Sequence, residues 1–369
     1  MNRSHLPRGI AFSVFFLAAA VSWSQASDSP SNSVLKSSVR VSIEDHNAPL
    51  TQTIGEIRKA AEAGDPWGQN NLALAYAFGK GVEQNYDEAA RWFARAASTG
   101  FAPAQFNFGA LYENGLGIPR DDAKAFTFIH AAAIQGFAPA EERLGYFFEK
   151  GMAIPVNLVD AARWYRAAAE KGEAVAQCKL GSLYHSGRGV TRNDAEAAKW
   201  YSISAELGNA VAQNNLGSFY NHGIGLERDY EQALYWYRKA VAQGLAEAYN
   251  NLGVMYEEGL GIPKDYREAA SLYTAAATHG VIRAQYNLAT MYYSGRGVPL
   301  DYVTAYLWFS RAASAGDSTA AKVLKQLSSV MTPRQKELAQ ARISESQAAS
   351  ISGEPAQSPL FDPARMNPK

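Results

Sequence analysis

Small and apolar residues recur along this chain at helical spacing, and glycine breaks them at fixed intervals. Between Gly244 and His279, the residues Ala248, Leu252, Met255 and Tyr256 fall at i, i+4, i+7 and i+8, one face of a helix. The run Gly259-Leu260-Gly261-Ile262-Pro263 then interrupts the pattern, because paired glycines and a proline stop a helix and build a turn. Asp265 is a natural N-cap for a second stripe, Ala269, Leu272, Tyr273 and Ala276. Gly280 stands where a helix ends in a left-handed residue. The pattern predicts helix A, a glycine loop, helix B and a glycine turn.

This unit is 36 residues long, and its copies open at Gly64, Gly100, Gly136, Gly172, Gly208, Gly244 and Gly280 without an insertion or deletion. A degraded eighth copy opens at Gly316. A strict period of this size predicts an all-α stacked solenoid in which each unit buries its apolar face on its neighbours. An Ala at the fifth position and a Leu-Gly pair, such as Leu216-Gly217, recur in the middle of helix A. Glycine inside a helix costs roughly 1 kcal/mol relative to alanine, so its repetition points to a close helix crossing. Aromatics fill the remaining space, among them Tyr184, Tyr220 and Tyr256 on helix A and Trp164, Trp200 and Trp236 on helix B.

The pattern Ala-x-x-x-Leu-Gly-x-x-Tyr-x-x-Gly-x-Gly-Val/Ile-Pro-x-Asp/Asn, followed by Ala-x-x-Trp-Tyr-x-x-Ala-Ala, resembles the Sel1-like repeat family, a relative of tetratricopeptide repeats. It covers residues 64–315 in seven copies. The resemblance implies a right-handed α/α superhelix and a role in binding proteins. The chain departs from the pattern at Met152-Ala153, where the loop lacks its second glycine, and at Ala73 and Ala289.

The ends differ from the repeat. Residues 53–63 read as a lone capping helix, and residues 316–347 as two C-terminal capping helices, with Thr332-Pro333-Arg334-Gln335 starting a helix that runs to about Ser344. Residues 27–52 and 348–369 lack periodicity and read as a linker and a disordered tail. Residues 1–26 have the form of a secretory signal: basic Arg3 and Arg8, an apolar run from Ile10 to Val21, and Ser24-Gln25-Ala26 before a cut. The expected destination is the bacterial periplasm, with no membrane span left after cleavage.

The 35 basic and 35 acidic residues balance, which argues against a nucleic-acid or anionic-membrane binder. The single cysteine, Cys178, cannot form an internal disulfide; it reads as a free thiol near the groove, with a redox switch as the alternative. No zinc-ligand spacing occurs, and no metal or cofactor is expected. The Gly-x-Gly loops follow helices and recur in nearly every unit, so they read as turns rather than phosphate cradles. Ser33-Val34-Leu35-Lys36 matches one motif of penicillin-binding enzymes but lacks its companion motifs.

Two ladders remain. An Asn recurs at the eighth position, in Asn71, Asn107, Asn215, Asn251 and Asn287, and is replaced there by Arg143 and Lys179. It reads either as a repeated bond between helices or as a contact to an extended peptide. The fourteenth position carries Glu113, Glu149 and His185. With Phe106, Tyr146 and Tyr286 as aromatic anchors, these residues form the expected concave partner face. The function expected is a monomeric, non-enzymatic scaffold or adaptor for a protein or peptide. The rival is a cell-envelope hydrolase acting on β-lactams or peptidoglycan.

Overall fold

A computed structural model describes residues 53–352, with side chains described to residue 345. The expected signal, the linker and the last 17 residues lie outside the described residues. Among the described residues there are seventeen helices and no strand. Helix α1 (Ile54–Glu62) comes first, and then A and B helices alternate. The A helices are α2 (Pro66–Phe78), α4 (Ala102–Asn114), α6 (Ala138–Lys150), α8 (Ala174–Ser186), α10 (Ala210–His222), α12 (Ala246–Glu258) and α14 (Ile282–Ser294). The B helices are α3 (Tyr86–Ser98), α5 (Asp122–Ala133), α7 (Leu158–Glu170), α9 (Asp194–Glu206), α11 (Tyr230–Ala242), α13 (Tyr266–Thr278) and α15 (Tyr302–Ser314). Helices α16 (Ser318–Val330) and α17 (Pro333–Ser352) complete the set; α17 runs past the end expected near Ser344.

Local chemistry sets the boundaries. Each B helix starts on an Asn or Asp whose side chain accepts backbone N–H groups; Asp265, for example, accepts from Arg267 and Glu268 at 2.9 and 3.0 Å. Each A helix of the seven full units ends on a left-handed glycine. Thr53 and Glu56 form a capping box at α1, and Thr332 with Gln335 exchange the same bonds at α17. The second loop glycine touches the unit before it: a Cβ on Gly189 would lie 2.1 Å from the Leu158 carbonyl oxygen. In the third unit Ala153 holds that place with φ 60°, the only non-glycine with positive φ among the described residues.

In the second to sixth units, helix A crosses helix B against a bare glycine. A Cβ on Gly217 would sit 2.8 Å from the Tyr237 ring, and one on Gly145 2.8 Å from the Tyr165 ring. The close crossing read from the Leu-Gly pairs is therefore present. Between units, Gln177 and Gln213 donate to the Ala169 and Ala205 carbonyls at 3.0 and 3.1 Å, covering the last turn of the preceding B helix. The terminal core, with Trp308, Phe309, Leu327 and Met331 buried, is closed by α16 and α17.

Candidate partner-binding face

The Asn ladder is a set of bonds between successive A helices. Asn107 Nδ2 donates to Asn70 Oδ1 at 3.0 Å, Asn251 to Asn214 at 2.9 Å, and Asn287 to Asn250 at 3.1 Å. The eighth position of one unit thus reaches back 37 residues to the seventh position of the unit before. Side-chain amides are short, so these bonds require A helices that lie close together. Asn107, Asn251 and Asn287 are thus structural ties; Asn107, only 1% exposed, is thereby corrected from a partner contact, while Asn251 and Asn287 stay half-buried. Asn71, in the first full unit, stays half-buried.

The ladder breaks at three consecutive steps, where the seventh position holds Phe106, Glu142 and Cys178. Phe106 is 2% exposed and meets Phe137 edge-on at 5.6 Å, so it fills the core and is not an anchor for a partner. Facing it, Arg143 turns away to Glu113: its Nε donates to Oε2 at 3.0 Å and a terminal nitrogen donates to Oε1. Glu113 is buried beneath Arg143 and is likewise corrected from a partner contact. At the next step Glu142 faces Lys179. Burial pushes the Glu142 carboxyl up from 4.5 to about 7, against the pull of Lys179 and helped by the charges of Glu173 and Glu149. At the third step Cys178 offers no amide oxygen, and Asn215 Nδ2 is buried without a hydrogen-bond partner among the described residues.

Burial pushes the Cys178 thiol up to about 12. It therefore lacks the thiolate character that a redox switch or nucleophile needs.

A second column runs from helix B. Tyr165 and Tyr273 each pass through the unit and donate to a fourteenth-position carboxylate, Glu149 and Glu257, at 2.8 Å. In the fourth unit that place belongs to His185. Its Nδ1 lies 2.6 Å from Asp194 Oδ1 and must donate, since the carboxylate only accepts. Burial acts to raise the Asp194 carboxyl, but hydrogen bonds from Arg192 and His185 hold it below the usual range. Tyr201, fully buried above Cys178, turns its hydroxyl toward Ser182 and Asn215 without closing a hydrogen bond. Tyr286 rests edge-on against Phe309 at 5.4 Å and is half-buried.

Two of the broken steps meet at one ring. Arg143, Lys150 and Lys179 place their cationic groups 4.3, 5.7 and 5.9 Å from the Tyr146 centroid. Lys179 Nζ also lies 3.7 Å from Glu149. The carboxylates lie beneath: Glu113 and Glu149 are 8% and 13% exposed, while Arg143 and Lys179 are 18% and 37%. The surface therefore presents cations around an aromatic ring, with acids behind them. The structure brings Glu113, Arg143, Tyr146, Glu149 and Lys179 together, and leaves Asn71, Tyr286 and Asn287 apart in the end units. Glu142 and Asp194 were missed by the sequence reading. Matching the seventh position with the eighth position 37 residues later exposes the first; nothing in the repeat marks the second. Among the described residues no group of three or more His, Cys, Asp or Glu side chains is placed to hold a metal ion.

Comparison with known proteins matches the family model described as Sel1 repeat at residues 68–101, 102–137, 138–173, 174–209, 210–245, 246–281 and 282–317. The chain is similar to the crystal structure of a protective antigen of uropathogenic Escherichia coli, described as displaying an SLR fold. That likeness has 31% identity and a TM-score of 0.67 over 87% of this chain and 69% of the other. It is also similar to a Sel1 repeat protein from Oxalobacter formigenes, with 33% identity and a TM-score of 0.57 over 79% of this chain and 86% of that one. No curated protein matches the chain significantly.

Proposed function

The chain belongs to the Sel1 repeat family, and on that premise we propose that it is a non-enzymatic scaffold that binds a partner protein on the A helices of its central units. The observation that carries this reading is the interrupted ladder. Three neighbouring steps give up an interhelical amide bond, each such bond being worth about 1 kcal/mol. At two of them stands a half-exposed cluster of Tyr146 and cations. Solenoids offer such extended faces to partners, and aromatic and basic side chains are the usual anchors of an interface. The basic, apolar start of the sequence supports export, with the mature chain acting in the bacterial periplasm. No described helix is long and apolar enough to cross a membrane.

The test is a photo-crosslinking residue placed at Ser218 on α10 or at Arg238 on the exposed face of α11, in the mature chain, against envelope extract. A specific adduct from Ser218 and none from Arg238 is expected. Adducts from Arg238 alone would place the partner on the B helices and end this reading. Turnover of a β-lactam or of peptidoglycan by the purified chain would favour the hydrolase instead.

A further inference from the structure

We propose, building on that scaffold reading, that the third and fourth units grip an acidic segment of the partner protein, with its carboxylates on Lys150 and Lys179 beside the Tyr146 ring. The two lysines come from different helices. Lys150 is the exposed last residue of α6, and Lys179 rises from α8 in the next unit. Their ammonium groups lie 5.7 and 5.9 Å from the centre of the same ring, so both stand beside Tyr146 across the unit boundary. In an extended segment, side chains two residues apart stand on one side about 7 Å apart, a spacing that lets two carboxylates meet two such cations. Charge complementarity follows from the layering. Glu113 and Glu149 lie deeper than the cations, and Glu113 is already committed to Arg143. An approaching chain therefore meets positive charge first.

The geometry favours carboxylates over nucleic acid. The Arg143 guanidinium lies 4.3 Å from the Tyr146 centroid, so a base stacking on that ring would compete with it. The chain as a whole carries no basic excess.

Glu142 makes the grip sensitive to pH. The groups that face it are Lys179 from α8, Glu173 just before α8, Glu149 on its own helix and Tyr165 from α7. Its carboxyl titrates near neutral pH, at about 7. Once protonated, Glu142 no longer competes with the partner for the charge of Lys179, whose other carboxylate neighbour is Glu149 at 3.7 Å. Binding of an acidic segment should strengthen as the pH falls through 7.

The experiment uses the full chain and three fluorescein-labelled decapeptides of repeating Glu-Gly, Ser-Gly and Lys-Gly, with fluorescence anisotropy at low salt. The Glu-Gly peptide should bind at least about tenfold more tightly than Ser-Gly, the scale set by a few partly desolvated charge pairs. Lys150→Ala with Lys179→Ala should weaken it at least about fivefold while far-ultraviolet circular dichroism is unchanged. Lys322→Ala with Lys325→Ala, which removes the same charge from exposed sites on α16, should leave it alone. Affinity should be higher at pH 6 than at pH 8, and Glu142→Gln should abolish that difference. Equal binding of Ser-Gly, preference for Lys-Gly or for a single-stranded oligonucleotide, or equal loss in the α16 variant would each overturn the proposal. If the acidic peptide fails while Ser218 still cross-links a partner, the acidic grip is lost and the scaffold reading stands.

Discussion

At the seventh position of a unit, one side chain decides whether the next A helix is tied to it. Asparagine closes the bond in three places, and at Cys178 the Asn215 Nδ2 is buried without a closed hydrogen bond. Cys178→Asn should therefore raise stability by about 1 kcal/mol, because it supplies the missing acceptor in a geometry its neighbours already use. Urea denaturation checks this, and a loss of stability would show that the ladder does not extend to this step. Glu142 sits in the same column with its carboxyl raised from 4.5 to about 7 by burial. Between those values the folded chain holds a proton that the unfolded chain has released, so stability falls as pH rises through that window and levels off above it. Glu142→Gln should remove this fall and be the more stable form at pH 8, by about 1–2 kcal/mol. A variant that tracks the wild type from pH 5 to pH 8 would refute the burial of that carboxyl. The ladder itself was legible in the sequence, since Asn is a poor choice inside a helix and recurs in register. Its meaning was not, because the bond joins residues 37 apart and the period alone draws attention to spacings of 36. Phe106 was misread for the same reason: its position points between A helices.

At the scale of the helix pair, glycine governs how closely A and B approach. Gly217 has no room for a Cβ against the Tyr237 ring, so Gly217→Leu should cost roughly 1–3 kcal/mol by overpacking. A melting temperature within error of wild type would contradict the crossing. Ala153 shows the converse, holding φ 60° in a loop where the other units have glycine. An alanine there stores about 1–2 kcal/mol, so Ala153→Gly should stabilise the third unit by about 1 kcal/mol despite the looser unfolded chain. The helices were legible almost to the residue, because Gly, Pro and Asn or Asp punctuate every unit in phase. The exception is α17, which has no glycine near Ser344 and runs on to Ser352, just before Gly353.

For the whole molecule, the period predicted the stack, and closure of its ends followed from the need to cover an apolar face. Ending the chain at Gly316 would uncover the core around Trp308 and Phe309, and the truncated protein should melt lower and aggregate. Unchanged melting would mean that α16 and α17 are not caps. What the period could not supply is the distinction between units, because the Tyr146 cluster lies where the repeat is broken. The Tyr146 cluster draws on three successive A helices, α4, α6 and α8, and exists only when they are stacked. The most direct test restores the repeat where it is interrupted, with Glu142→Asn, Lys179→Asn and Cys178→Asn combined, and measures stability beside affinity for the partner cross-linked through Ser218. If the interruptions exist for binding, the variant should gain about 2 kcal/mol from two recovered amide bonds and bind at least about tenfold more weakly. Retained affinity in the restored ladder would contradict the account.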